Sequence, residues 1–158
     1  MTRAGQFFRA VFAKVTEEDR EYVKKYLPQK GEKLFFEMAV FDQAHALSVA
    51  RTIEEFEYAG DKDFLIRLAL LHDVGRRNIS VFDKVFCVLM NSVSKKFAKK
   101  LAKYVRSLYI YYNHPEIGAK LLKDAGLKKE AEIIRLHHTD TENAPVELVL
   151  LKRADSMN

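Results

Sequence analysis

The sequence predicts an all-α protein of seven to nine helices, and three observations favour that class. Only three prolines and six glycines occur among its 158 residues, so few positions interrupt a helix. No stretch of any length alternates apolar and polar residues as a half-buried strand does. Apolar residues instead recur three or four positions apart between capping residues, as they do in amphipathic helices.

The chain length predicts a single domain over residues 1–158. This length can bury one sizeable core and is too short for two ordinary ones. Hydrophobic residues make up 48% and charged residues 31% of the chain, a balance that excludes a disordered or fibrous protein. The single cysteine, Cys87, cannot form an internal disulfide, which favours a reducing cytoplasm.

The N-terminal segment carries an apolar stripe beside basic residues. Its apolar members are Phe7, Phe8, Val11, Phe12 and Val15. We expect peripheral helices packed on the domain within residues 1–29, and the alternative for the stripe is a membrane-surface helix or a contact in a homodimer. Arg9 interrupts the apolar run and no small-residue cleavage site follows, so we expect no signal peptide. No stretch approaches the roughly 18 apolar residues of a transmembrane segment.

Capping residues mark the helices in the first half of the chain. Each helix begins at a residue that favours the N-cap position: Thr16, Asp42, Asp61 and Ser80. The four helices are expected to end near Leu27–Pro28, Gly60, Gly75 and Val88, in the same order. The second runs through His45 and Phe56, and the third reaches His72–Asp73.

Four further helices are expected in the second half, over about 94–112, 115–126, 128–138 and 143–155. Pro115 suits the first turn of its helix because that turn needs no N–H, and Gly126 suits the C-terminal stop. Apolar positions in the third of these helices lead to His137–His138. Asn143 and Pro145 begin the last.

The segment from Val85 to Pro115 is strongly basic. It contains no acid and six basic residues: Lys95, Lys96, Lys99, Lys100, Lys103 and Arg106. Apolar residues recur between them at helical spacing, which predicts one amphipathic helix with a solvated basic face. The alternative is a patch that attracts an anionic substrate, nucleic acid or lipid head groups, and the sequence does not choose among these. Nucleic-acid binding through residues 95–106 ranks lowest, because the segment lacks readout elements.

Histidines and acids fall on the apolar faces of several predicted helices. His45, His72 and the pair His137–His138 have this placement, and Asp155 continues an apolar stripe. A single histidine in such a place is usually part of the core, but burying an unpaired carboxylate is costly. Asp73 and Asp155, directed into one core with several imidazoles, therefore need a neutralising partner. A divalent metal would provide it.

The order of these residues resembles the HD-domain superfamily of metal-dependent phosphohydrolases, which carry the pattern H…HD…D. The matching residues are His45, His72–Asp73 and Asp155. Their context is similar to the family's LLHDIGK and ADxxN elements, in Leu70-Leu71-His72-Asp73-Val74-Gly75-Arg76 and Ala154-Asp155-Ser156-Met157-Asn158. Two further elements resemble HPxxGA and I…HH of the HDIG-type subset, in His114-Pro115-Glu116-Ile117-Gly118-Ala119 and Ile134-Arg135-Leu136-His137-His138. The resemblance implies an HD core over 42–158 with a basic helical insertion at about 77–113.

The resemblance implies a bundle of about five core helices around one or two divalent metals. It assigns the first metal to His45, His72, Asp73 and Asp155. It assigns a second to His114 and His137, with Asp73 as the bridge and His138 either completing the shell or touching the substrate phosphate. The two additional histidine elements favour two metals per chain. Mixed nitrogen and oxygen ligands suit iron, manganese or zinc, with magnesium as a further option.

Three residues are candidates for binding the substrate. Arg76 stands where many relatives carry lysine, and its guanidinium can bind phosphate oxygens in a forked geometry. The alternative is that Arg76 and Arg77 complement a helix dipole. Tyr112 belongs to an aromatic run that could stack on a base, although core packing explains at least two of its tyrosines. No GYP element follows the HD helix, which argues against cyclic-di-GMP.

The resemblance therefore predicts a phosphohydrolase in which Asp73 and Arg76 are catalytic. A hydroxide shared by two metals would attack phosphorus in line, and the small-molecule substrate would be a nucleotide. Nucleoside monophosphates, cyclic nucleotides and dinucleoside polyphosphates stay open as substrates. The alternative is a sensor or regulatory module that binds metal and nucleotide without turnover.

Overall fold

The computed structural model describes residues 14–77, 79–139 and 142–158. Across these ranges it contains nine α-helices, one short 3₁₀ helix and no strand, which confirms the all-α prediction. The α-helices are α1 (Glu17–Tyr26), α2 (Gln29–Phe36), α3 (Val40–Glu54), α4 (Lys62–Leu71), α5 (Val81–Val93), α6 (Lys95–Leu101), α7 (Arg106–Asp124), α8 (Lys128–Ile134) and α9 (Val146–Met157). The 3₁₀ helix, Val74–Arg76, joins α4 to the segment before α5. Within the described ranges, no helix is both long enough and apolar enough to cross a bilayer.

Helix α4 lies at the centre of the main core. Six of its ten residues are buried, as expected of a helix that neighbours cover on most sides. Helices α1, α2, α3, α8 and α9 all pack against it. The last turn of α4 therefore ends inside the protein, and the residues that follow it begin in a buried environment.

A second, smaller core joins α5, α6 and α7. Its buried members are Cys87, Ala98, Ala102 and Leu108, and Tyr111 and Tyr112 pack against them. Cys87 is a free, buried thiol here. Three of these four buried side chains are small, so this part of the protein buries much less apolar surface than the main core.

Most of the predicted helix starts are confirmed. Thr16 and Ser80 each form a capping box with the acid three residues later, and Asp61 accepts a hydrogen bond from the Phe64 N–H. Ser94 caps α6 in the same way through the Phe97 N–H. The helix begun at Thr16 ends at its expected residue, with Leu27 as the C-cap.

The predicted bounds of α3 are wrong at both ends. The helix begins at Val40 after an extended Ala39, and it ends at Glu54, before Phe56 and Gly60. Asp42 is therefore not a cap but a fully buried residue of the first turn. The acid is placed by partners distant in sequence, which local capping rules cannot anticipate.

The basic segment forms two helices rather than the single predicted one. Helix α6 ends at Leu101, and α7 begins at Arg106 after an extended Val105. Apolar spacing continues across the break, so the periodicity gave no sign of it. The break allows both α6 and α7 to pack against α5 and against each other around the second core.

Pro115 lies in the middle of α7, and its predicted place in a first turn is wrong. Proline has no N–H, so the carbonyl of Tyr111 four residues earlier loses its normal helical donor. The predicted stop after this helix is confirmed, because α7 ends at Asp124 and Gly126 follows with φ +88°.

The other boundaries fall close to their predicted positions, except that α5 ends at Val93, five residues beyond the expected Val88. Helices α4 and α8 end at Leu71 and Ile134, a few residues earlier than expected, while Pro145 caps α9 as expected. The N-terminal stripe lies outside the described residues except for Val15, which packs against the main core.

Candidate metal centre

The seven predicted metal ligands lie together in the structure as two adjacent groups. One group is His45, His72 and Asp155, and the other is Asp73, His114, His137 and His138. In each group, one ligand atom per residue lies within 4.8 Å of every other. Either set of nitrogen and oxygen donors could hold a divalent cation.

The ends of helices place most of these side chains. His72 and Asp73 directly follow α4, and His137 and His138 lie in the turn after α8. His45 projects from within α3, His114 from within α7 and Asp155 from within α9. Because α3, α8 and α9 all pack against α4, these positions meet at the C-terminal end of α4.

Two glycines bring α7 close to the residues that follow α4. A Cβ atom on Gly75 would lie 1.9 Å from the carbonyl oxygen of His114 and 2.8 Å from the backbone nitrogen of Gly118. The two backbones therefore touch directly, and Gly75 cannot carry a side chain without displacing α7. This contact sets the spacing between Asp73 and His114.

Asp73 lies between the two groups and faces both. Its Oδ2 atom is 3.5 Å from His72 Nε2, while its Oδ1 atom is 3.3 Å from His114 Nε2 and 3.9 Å from His137 Nε2. In the first group, His45 Nε2 is 2.9 Å from Asp155 Oδ1, and His72 Nε2 is 3.7 Å from the same oxygen. A carboxylate in the position of Asp73 can ligate one ion with each oxygen.

Three of the histidines are oriented by backbone carbonyls. The Nδ1 atoms of His72, His114 and His137 lie 2.7, 2.9 and 2.6 Å from the carbonyl oxygens of Ala69, Tyr111 and Ile134, in the same order. A carbonyl oxygen can only accept a hydrogen bond, so each Nδ1 carries the proton. Each Nε2 then presents its lone pair to the centre, which is the arrangement that metal-bound histidines adopt.

The helix geometry leaves each of these three carbonyls able to accept from a histidine ring. Ala69 and Ile134 belong to the last turns of α4 and α8, where carbonyls lack the donor of a continuing helix, and the Ile134 carbonyl also accepts from the His137 N–H at 3.2 Å. Tyr111 lies inside α7, but its usual donor would be the missing N–H of Pro115. Pro115 thus provides, within a long helix, the free carbonyl that a helix end provides elsewhere.

Burial keeps two of the imidazoles neutral. Burial and then the positive charge of Arg76 lower the pKa of His114 to about 2, and burial together with the neighbouring His72 and His138 lowers the pKa of His137 to about 3. Burial also lowers the pKa of His138. Metal ligation requires neutral imidazoles, and these are neutral at physiological pH.

The two carboxylates of the centre are held in their charged form. Burial by itself raises the pKa of Asp73, but the positive charge of Arg76 beside it holds that pKa well below its usual range. Burial likewise opposes ionisation of Asp155, yet its hydrogen bond with His45 brings the pKa down to about 2. Both groups are therefore available as anionic ligands.

Several buried atoms of the centre lack a hydrogen-bond partner among the described residues. They are Nε2 of His72, Nε2 of His137 and Oδ1 of Asp73. Each is a lone-pair acceptor directed at other acceptors, an arrangement that is costly in a protein interior without a bound cation. A divalent metal would satisfy all three, so the residues fit the metal that the sequence predicted.

Arg76 lies beside the centre rather than on the outer surface. Its NH1 atom is 2.7 Å from Asp73 Oδ2, and its NH2 atom is 3.4 Å from His114 Nε2. The guanidinium is therefore placed where it can meet an anion bound at the metals. The Asp42 carboxylate adjoins the guanidinium, and Lys84 lies on Asp42 in turn.

Asp42 and Lys84 complete the charged surroundings, and the sequence analysis missed both roles. The Asp42 carboxylate is fully buried, 3.3 Å from Lys84 Nζ and 3.9 Å from Arg76 NH1. A signal was present, because Asp42 lies one helical turn before His45 on a largely apolar helix. Lys84 gave no comparable signal, since it reaches Asp42 from a different helix.

The two remaining substrate-binding candidates lie outside this cluster. Arg77 forms an ion pair with Glu37, with 2.8 Å between NH2 and Oε2. The Tyr112 hydroxyl donates to Asn91 Oδ1 at 2.7 Å, and the ring packs against the second core. A role for either residue in binding substrate stays a prediction.

Comparison with known proteins identifies the family without identifying a relative. A family model described as the HD domain matches residues 43–158, nearly three-quarters of the chain. Comparison with curated proteins and with solved structures gave no significant match. The matched range contains all seven residues of the two ligand groups.

Proposed function

Because the chain belongs to the HD-domain family, we propose that it is a metal-dependent phosphohydrolase that cleaves a phosphoester or phosphoanhydride of a nucleotide. One observation supports this function most strongly. Imidazoles and two carboxylates converge on two adjacent groups, Asp73 faces both groups, and the inward atoms His72 Nε2, His137 Nε2 and Asp73 Oδ1 lack donors among the described residues. Such a pair of sites is suited to two-metal hydrolysis of a phosphate.

The residues divide between two ions. His45, His72, Asp155 and one oxygen of Asp73 would hold the first, and His114, His137, His138 and the other oxygen of Asp73 the second. Bound divalent metals would supply an acidified water at neutral pH and positive charge next to the phosphoryl oxygens. The carbonyl anchors of three histidines keep the ligands oriented before substrate arrives.

Arg76 would stabilise the phosphoryl group during the reaction. Its guanidinium is buried on most of its surface and already faces the shared carboxylate. Two of its donors can reach one phosphate in a forked geometry as charge builds on the oxygens. The protein therefore needs no serine or cysteine nucleophile, and the buried Cys87 lies in the second core instead.

The nucleotide as substrate rests on the family resemblance. Nucleoside monophosphates, cyclic nucleotides and dinucleoside polyphosphates each present a phosphate that could enter the centre. Lys84 is already paired with the buried Asp42 carboxylate, so its charge does not choose among these three substrate classes. All three therefore belong in the first assays.

Elemental analysis of protein purified without chelator, together with phosphate release from a nucleotide panel, tests this function. We expect close to two iron, manganese or zinc ions per chain and turnover of at least one nucleotide. Arg76→Gln should lower kcat/KM by about 100-fold with the metal content unchanged. Arg20→Gln, an exposed arginine on α1, is the matched control for loss of one positive charge.

Other outcomes would reassign or reject the function. Bound metal and tight nucleotide binding, with no product over hours, would assign the chain to the regulatory alternative. Failure to bind metal after reloading under reducing conditions would reject both the hydrolase and the regulatory module.

A further inference from the structure

Helix α5 has an exposed apolar face. The residues Phe82, Phe86, Leu89 and Val93 repeat every three or four positions, so they lie along one side of the helix. Phe82 and Val93, at the two ends, are each 83% exposed, and Leu89 is 60% exposed. A contiguous apolar stripe of this kind is unusual on a protein surface that only meets water.

The exposure is not the result of a loosely placed helix. Cys87, on the opposite side of α5, is buried in the second core, and Asn91 accepts a hydrogen bond from Tyr112. Ser80 caps the N-terminus of α5 in a complete capping box. The helix is therefore held in place by one side while the other presents the stripe.

The helix that follows the stripe is positively charged. Helix α6 begins two residues after Val93 and packs against α5. It contributes four exposed lysines: Lys95, Lys96, Lys99 and Lys100. No acid occurs between residues 85 and 115, so nothing in this segment neutralises them. Phe97, on the same helix, is itself 53% exposed.

We propose that this apolar and basic surface of α5 and α6 docks on an anionic lipid bilayer. Aliphatic and aromatic side chains can enter the boundary between head groups and acyl chains while lysines contact the negative head groups. A second copy of the chain would bring another set of lysines against the first. Nucleic acid would satisfy the lysines, but Leu89 and Val93 can neither stack on bases nor bond to them.

Vesicle co-sedimentation tests the proposal directly. The full chain is mixed with vesicles of phosphatidylcholine alone or of equal parts phosphatidylcholine and phosphatidylglycerol. We expect binding to the anionic vesicles that weakens as salt is raised, and little binding to the neutral ones. Equal binding to both, or to neither, overturns the proposal.

Paired variants separate the apolar from the electrostatic contribution. Phe82→Ser with Val93→Ser should weaken binding about tenfold or more through lost apolar burial. Lys96→Gln with Lys100→Gln should weaken it about fivefold for each lysine at low salt. Matched controls are Val146→Ser with Val149→Ser, exposed on α9, and Lys128→Gln with Lys129→Gln, exposed on α8.

Two results would assign the surface to another partner and overturn the lipid proposal. One is a concentration-dependent dimer in sedimentation that the Phe82 and Val93 variant abolishes while vesicle binding is unchanged. The other is salt-dependent binding of duplex DNA that the lysine variant abolishes, again with vesicle binding unchanged. Metal content should be that of the unaltered protein in every variant, because none of the changed residues belongs to the metal centre.

Discussion

The metal centre and the α5–α6 surface are built in opposite ways, although α7 carries a ligand of the one and packs beneath the other. In the centre, buried polar groups are directed inward, and three of the five histidines are fixed by short contacts with the backbone. On α5 and α6, apolar groups are directed outward and only a few small side chains form the core beneath them. An inward-facing polar cluster and an outward-facing apolar surface can therefore share one small bundle when different helices serve each.

The largest effect confined to the metal centre is expected from removal of the Asp73 carboxylate. Asp73→Ala should abolish binding of at least one metal and lower kcat/KM by more than about 100-fold, because both ligand groups use this carboxylate. Metal stoichiometry and nucleotide turnover measure the effect. Tyr104→Ala, at an 84% exposed residue between α6 and α7, is the control and should change neither. Full activity in a metal-depleted Asp73 variant would contradict the assignment.

Gly75→Ala tests whether backbone contact sets the geometry of the centre. The new Cβ would collide with the His114 carbonyl, so we expect the free energy of unfolding to fall by about 3 kcal/mol and metal affinity to fall with it. A Cβ atom on Gly118 would lie 3.2 Å from its nearest neighbour, the backbone nitrogen of Gly75. Gly118→Ala should therefore change the free energy of unfolding by only about 1 kcal/mol. Denaturant unfolding and metal titration of the two variants make the comparison. Equal effects would show that the contact does not limit the spacing.

Leu108→Ala tests the same comparison in the second core. Leu108 is fully buried in the second core, and its truncation should lower the free energy of unfolding by about 2 kcal/mol. Hydrogen exchange should rise mainly in α5 and α6, with the metal stoichiometry unchanged. A loss of bound metal comparable with that of Asp73→Ala would mean that the two regions are not independent.

Pro115→Ala should change stability and metal affinity in opposite directions. Alanine restores an N–H that competes for the Tyr111 carbonyl, so His114 loses its fixed orientation and metal affinity should fall about tenfold. The same change removes a proline from a helix interior and should raise the free energy of unfolding by about 2 kcal/mol. Calorimetric metal binding and denaturant unfolding measure the two effects. A parallel loss of both would contradict the role given to Pro115.

The smallest expected effect concerns the cap of α5. The hydrogen bonds from Ser80 lower the pKa of Asp83, so the charged carboxylate stabilises the folded state above its unfolded pKa of about 3.9. That contribution is lost as pH falls through the lowered folded pKa. Asp83→Ala should therefore cost about 1 kcal/mol at pH 7, and the difference from the unaltered protein should shrink in acid. Unfolding curves at pH 7 and pH 3 measure it, and a difference independent of pH would argue against the capping carboxylate.

Local sequence signals were sufficient where local chemistry decides the structure. Thr16, Asp61 and Ser80 were predicted as caps because a cap depends on neighbours within one turn. The order of the motifs was enough to predict the residues of the metal centre, because the resemblance to the family rests on that order. The geometry of the ligands required the fold.

The missed features depend on partners distant in sequence. Asp42 satisfied the rule for a cap, yet its position is explained by Arg76 and Lys84. Leu101 and Val105 continue the apolar spacing across the break between α6 and α7, so periodicity could not reveal the break. The chain breaks there because both helices must pack against the second core.

The carbonyl anchors of His72, His114 and His137 also bear on how the protein can evolve. Their acceptors are backbone atoms, which are the same whatever side chain stands at Ala69, Tyr111 or Ile134. Ordinary substitutions around the centre can therefore accumulate and reshape a substrate pocket while ligand orientation is inherited unchanged. Only substitutions that alter the path of the chain, such as those at Gly75 and Pro115, would remove this mutational robustness.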